Sequence, residues 1–146
     1  MTERKVVATA TVHAPAHRIF DLLADPAQHP LIDGSGTVQA ARTTGPARLE
    51  LGSTFGMDMR QGLPYKVTNK VVEYEENALI AWRHFGGHRW RWELTPVDED
   101  TTEVVETFDW STAHMGFLYP VIGYPERNLK GMRETLRRLE TVVTEN

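Results

Sequence analysis

The chain of 146 residues contains no cysteine. That absence excludes disulfides, thiolate metal sites and cysteine nucleophiles together. Positive charge is also short. Sixteen Lys and Arg against 20 Asp and Glu leave a formal charge of −4. This is the wrong sign for a nucleic-acid binder, which must displace counterions from phosphate. No window approaches the roughly 20 consecutive apolar residues of a membrane span. Met1-Thr2-Glu3-Arg4-Lys5-Val6 is charged where a signal peptide would carry its apolar run. The expectation is a cytoplasmic protein without integral membrane association. There is no Gly-rich phosphate loop, and Asp33-Gly34-Ser35-Gly36 is not a nucleophile elbow, which sets a glycine two residues to either side of its serine. The six histidines do not assemble a metal site by spacing. His84-x3-His88 spans a Gly-Gly turn and His13-x3-His17 crosses a strand-to-helix junction, each without a matching carboxylate. No metal or other cofactor is expected.

What remains has the composition of an ordinary globular domain, 40% hydrophobic and 25% charged. A chain of this length is read as one domain, 1–146, able to bury about two thirds of its unfolded surface without staples. Arg outnumbers Lys and Ala is common, which suits a GC-rich bacterial genome. Lys5 to His13 alternates as a half-buried strand, with Val6, Ala8, Ala10 and Val12 on one face. Pro15 suits a first helical turn, and Ile19, Phe20 and Leu23 form that helix's apolar stripe. Asp25-Pro26 ends it and caps a second short turn, while 29–36 reads as loop by its Pro and Gly content. Further strands are expected at Thr37–Arg42, Ser53–Arg60, Tyr65–Tyr74, Leu79–Phe85, His88–Thr95 and Thr102–Trp110. Hairpin signals between them, Gly86-Gly87 the clearest, imply antiparallel strands in a meander. Leu129, Met132, Leu136, Leu139 and Val143 then recur at steps of three and four, predicting a helix over Glu126–Val143.

This order is an α+β pattern in which the last helix must cover one face of the sheet. The chain resembles the START-like helix-grip superfamily, in particular its bacterial polyketide cyclase/dehydrase and lipid-transport (SRPBCC) family. The resemblance is carried by residues 10–26, by Trp90-Arg91-Trp92-Glu93-Leu94-Thr95-Pro96 and by Thr101-Thr102-Glu103-Val104-Val105-Glu106. It implies a curved sheet of about seven strands gripping a long C-terminal helix, two short helices after the first strand, and an apolar cavity between sheet and helix. The family often has a tryptophan just after the second short helix. Here Leu31-Ile32-Asp33 stands instead, so no role is transferred there. Carriers, aromatase/cyclases and stress-linked modules share the fold, so the resemblance does not choose an activity.

Alternation nominates the ligand-facing side chains. Phe55, Met57 and Met59 share a face opposite Gly56, Asp58 and Arg60, and Trp90 and Trp92 oppose Arg89 and Arg91. Glu106 and Phe108 follow on the last strand, with Met132 and Leu136 from the helix above. Thioethers beside indoles suit irregular apolar shapes. Trp82 and His84 depend on the turn: a two-residue loop at Gly86-Gly87 points Trp82 away from Trp90, a three-residue loop puts both on one face. The second is preferred, because an outward Trp82 beside Arg91 would need a partner. Asn69 and Glu106 are polar among apolar neighbours, and a buried Glu has a raised pKa that fits it to act as an acid or to orient a ligand hydroxyl. The entrance is expected near Met115 and Phe117, in the segment joining the last strand to the helix, with Gly131 leaving room beside that helix.

Three functions compete at this point. The first is a binder or carrier of a small hydrophobic ligand, such as a lipid, polyketide or isoprenoid, working as a monomer or weak dimer. The second is a cofactor-free polyketide aromatase/cyclase with Glu106 as its catalytic acid or base. The third is an interaction or stress-response module whose core is filled. The absence of a spaced acid–base pair favours the first.

Overall fold

Short turns between successive strands force antiparallel neighbours. The computed structural model describes residues 4–35, 38–41, 48–61 and 63–144. Its strands are β1 (Lys5–Val12), β2 (Val38–Ala41), β3 (Thr54–Gln61), β4 (Leu63–Glu75), β5 (Leu79–His84), β6 (Arg89–Asp98) and β7 (Thr101–Asp109). They form one sheet in the order β1-β7-β6-β5-β4-β3-β2, every pair antiparallel. The helices are α1 (Ala16–Leu23), α2 (His29–Ile32) and α3 (Tyr124–Thr144). No helix among the described residues is long and apolar enough to cross a membrane.

β4 is 13 residues long and carries a bulge between Val71 and Glu73, a device that bends a strand and increases its twist. The β5–β6 turn is a three-residue loop, Phe85-Gly86-Gly87. His84 donates its N–H to the His88 carbonyl at 2.9 Å, and Gly87 donates to the His84 carbonyl at 2.8 Å with φ +98°. Only glycine takes that backbone angle cheaply. The loop length sets the register Trp82↔Trp90, so both indoles share the concave face.

Pro15 precedes α1, whose Ile19, Phe20, Leu22 and Leu23 are buried. Asp25 Oδ1 accepts the Ala27 N–H at 3.0 Å and starts a 3-10 turn, Pro26–Gln28. That turn feeds directly into α2, which corrects the expectation of loop from His29 onward. Pro30 stands in α2's first turn, where its missing N–H breaks no hydrogen bond.

The 21 residues of α3 span about 30 Å. Met132, Leu136, Leu139 and Val143 are buried, and the helix packs chiefly on β1, with α2 and then β7 beside it. The loop after α2 then closes on it. Gly34 donates to Thr135 Oγ1 at 2.8 Å and Arg138 donates to the Asp33 carbonyl at 2.7 Å. A Cβ at Gly34 would lie 2.5 Å from the Thr135 nitrogen, so only glycine permits this approach. The room beside Gly131 is accordingly filled by Ser35, 3.3 Å from where a Cβ would stand. It is not open space.

Candidate functional site

Because α3 rests on the β1–β7 side, the other half of the concave sheet stands away from it. A cavity of about 1070 Å³ lies between them, roofed at one side by α2. Phe55, Met57 and Met59 of β3 line it, with Asn69 of β4, Trp82 and His84 of β5, Trp90 and Trp92 of β6, Glu106 of β7 and Met132 of α3. His29 of α2 stacks on Trp82 at 5.0 Å, and Phe55 meets Trp82 edge-on at 5.4 Å. The His29 ring donates from Nε2 to the Leu23 carbonyl at 2.8 Å, and burial lowers its pKa. It serves as a neutral aromatic plate.

Glu106 is the polar centre of this wall. It is 4% exposed, and its Oε1 has no hydrogen-bond partner. The indole Nε1 of Trp92, directly opposite in the β6–β7 register, has none either. Burial, and secondarily the negative charge of Asp33, push the Glu106 carboxyl well above its ordinary pKa. Loss of water disfavours the charged form, and no cation beside it restores the balance. An acid O–H and an indole N–H thus face one cavity without acceptors, a pair suited to hold a ligand hydroxyl or carbonyl.

A second polar group lines the same cavity. The His84 and His88 rings stack at 4.3 Å, 13° from parallel. His84 Nδ1 accepts the Gly86 N–H at 2.9 Å, while His88 Nδ1 lies 3.0 Å from the Tyr119 hydroxyl. Desolvation lowers His84 to about 4 and His88 to about 3, His88 also feeling the charge on His84. Both rings are neutral near pH 7.

Four nominated residues lie elsewhere. Phe108 faces the concave side as alternation requires, but it is fully buried behind the cavity wall, 4.7 Å from Trp90 and between Trp110 and Tyr124. Aromatic rings fill that end of the sheet. Leu136 is buried in the core stripe of α3 rather than in the cavity. Met115 and Phe117 are 61% and 60% exposed and do not reach the cavity. The entrance is therefore not at that segment, because Tyr119 anchors it against His88. The mouth lies instead along α3, bordered by Arg127, Lys130 and Arg133, with Arg60 and Tyr65 of the β3–β4 hairpin and Asp33–Ser35 opposite.

Several lining residues escaped the sequence reading. His88 enters that reading only as a strand end and as a metal ligand set aside. Tyr124, Asn128 and Thr135, with the Gly131 already noted, form a second face of α3, next to its apolar stripe, and also line the cavity. Their own spacing of three and four was the available signal.

A curved antiparallel sheet gripping a long C-terminal helix over an internal cavity defines the START-like helix-grip class. The chain belongs to the polyketide cyclase/dehydrase and lipid transport family, whose model matches residues 3–144. It is similar to a START superfamily protein from Mycobacterium smegmatis (TM-score 0.76, 17% identity, 97% of each chain). It is likewise similar to the protein NE0264 from Nitrosomonas europaea (TM-score 0.76, 14% identity, 99% of this chain and 97% of that one). At such identities the likeness is one of fold. In sequence it is 39% identical over 140 residues to the uncharacterised protein Rv0088 of Mycobacterium tuberculosis H37Rv. The match takes in 92% of this chain but 62% of that relative's length.

Proposed function

We propose that the protein binds or carries a small hydrophobic molecule of lipid, polyketide or isoprenoid type within the cavity under α3. The observation that carries this is the cavity itself: about 1070 Å³, walled by two Trp indoles of β6, Trp82, Phe55 and three Met. That is the upper end of the roughly 300–1,000 Å³ typical of small-molecule sites, with the usual mixture of apolar wall and a few polar groups. A filled-core module has no use for it. The Glu106–Trp92 pair gives the ligand one fixed polar point, a hydroxyl or carbonyl. The test is native mass spectrometry of the protein from its own host, together with titration of the neutral dye N-phenyl-1-naphthylamine. The dye should bind the parent, and Met57→Trp, which fills the space with an indole, should abolish binding in a variant that still melts cooperatively. Binding undiminished in Met57→Trp would place the ligand elsewhere.

One observation favours a second reading. A carboxyl that burial pushes toward its protonated form, its Oε1 without a partner, is the arrangement of a general acid. A polyketide chain folded against it could be cyclised or dehydrated. Glu106→Gln would then bind the chain and fail to turn it over, whereas a pure carrier shows no turnover in either form.

A further inference from the structure

The charge around this cavity runs against the charge of the chain. In a protein of formal charge −4, six of the sixteen Lys and Arg line this one cavity: Arg60, Arg127, Lys130, Arg133, Arg137 and Arg138. Glu134 pairs with both Arg137 and Arg138 and cancels one of their two charges. Arg127 lies over the Tyr124 ring at 5.3 Å. The side chains of Arg60, Lys130 and Arg133 form no hydrogen bond or ion pair with any other described residue. The carboxylates facing the cavity besides Glu134 are Asp33 and Glu106. Asp33 is occupied by the Ser35 N–H and hydroxyl and by the Val38 N–H at 3.1 Å. Glu106 is held toward its neutral form by burial.

Position separates these cations from an ordinary solvated helix face. Arg127, Lys130, Arg133 and Arg137 follow at steps of three, three and four, on the flank of α3 that borders the mouth. Arg60, exposed near the end of β3, lines the same cavity, which corrects its assignment by alternation to the face opposite Met57 and Met59. Charges of one sign around a concave, low-dielectric opening concentrate their field there and raise the local concentration of anions. The deep end is the opposite, with Trp92 and a Glu106 that burial holds toward its neutral form among indoles and thioethers.

We infer that the ligand is an anionic amphiphile, its carboxylate or phosphate held at the mouth by Lys130, Arg133 and Arg60 and its apolar body inside. This rests on the ligand-binding reading above and adds the head group to it. An uncharged hydrocarbon or sterol leaves the mouth cations unused. A cationic amphiphile is repelled.

The test uses two dyes with one skeleton, neutral N-phenyl-1-naphthylamine and anionic 1-anilinonaphthalene-8-sulfonate. The sulfonate should bind about tenfold more tightly at low salt, the factor that roughly 1.4 kcal/mol supplies. That preference should shrink with added salt. In the double variant Lys130→Glu/Arg133→Glu, shown folded by circular dichroism, the ratio of the two affinities should fall to one or below. Displacement of the neutral dye by dodecanoate, dodecyl phosphate and dodecanol then identifies the head, the alcohol being the weakest. Equal affinity for the two dyes, a preference that survives the double reversal, or dodecanol as the best competitor overturns the inference and leaves the binding reading intact. Failure of both dyes to bind removes the binding reading and this inference with it.

Discussion

Glu106→Gln preserves the shape of the side chain and deletes its titration, so it isolates the cost of an acid inside the cavity. In the folded protein, burial and the nearby Asp33 hold the carboxyl well above its ordinary value of 4.5. The unfolded chain releases that proton above about pH 4.5, while the folded chain keeps it. Folded protein therefore binds more protons than unfolded, and wild-type stability falls as pH rises through this window by about 1.4 kcal/mol per unit. The fall stops where the folded carboxyl itself ionises. Other titrating groups, including His84 and His88, are common to both proteins and cancel in the difference. The stability of Glu106→Gln minus that of wild type should be flat below pH 4.5 and climb above it. Each unit of that window is worth about 1.4 kcal/mol, against the 5–15 kcal/mol of a typical domain. The assay is urea denaturation of both proteins, followed by tryptophan fluorescence, at half-unit steps of pH. Parallel stability curves would refute the reasoning, because they require Glu106 to ionise alike in both states. A difference falling with pH would show that the fold stabilises the carboxylate.

The stacked histidines predict the opposite slope. His84 and His88 protonate at about 4 and about 3 in the folded state against 6.5 when unfolded, so their contribution is present above pH 6.5 and is lost as pH falls toward those values. His88→Gln should flatten the acid limb of the stability curve by at most about 1.4 kcal/mol per pH unit, less for partial exposure, and an unchanged limb would count against the assignment. Gly34→Ala should cost about 1–3 kcal/mol in chemical denaturation, because its Cβ would collide with the Thr135 nitrogen and the Gly131 carbonyl of α3. Thr102→Val should cost about 1–3 kcal/mol by the same measurement. It removes the buried hydroxyl that donates to the Ala14 carbonyl at 2.8 Å and leaves that acceptor unpaired.

Periodicity alone determined the elements and their faces. Alternation at Phe55, Met57 and Met59, and at Trp90 and Trp92, is a local property of extended chain, and every one of these side chains lines the cavity. The apolar stripe of α3 was equally legible, since a helix of this length needs one to be stable. Even the inward turn of Trp82 depended on a local choice, the three-residue loop that Gly87 permits. Alternation says which way a side chain points and nothing of what stands opposite. Phe108 points inward and meets Tyr119 and Tyr124, so it is core, while Trp90, its partner in register, meets open space. That difference arises where α3 crosses the sheet. It packs chiefly on β1 and leaves the part of the concave face around Phe55, Trp82, Trp90 and Trp92 to the cavity. Likewise the cavity depends on Gly34 seating its loop against α3, and on Arg60 and Lys130, 70 positions apart in the chain, both lining it. Local propensity carries no term for such distances. They are decided when the curvature of the sheet and the angle of the helix are settled together by packing.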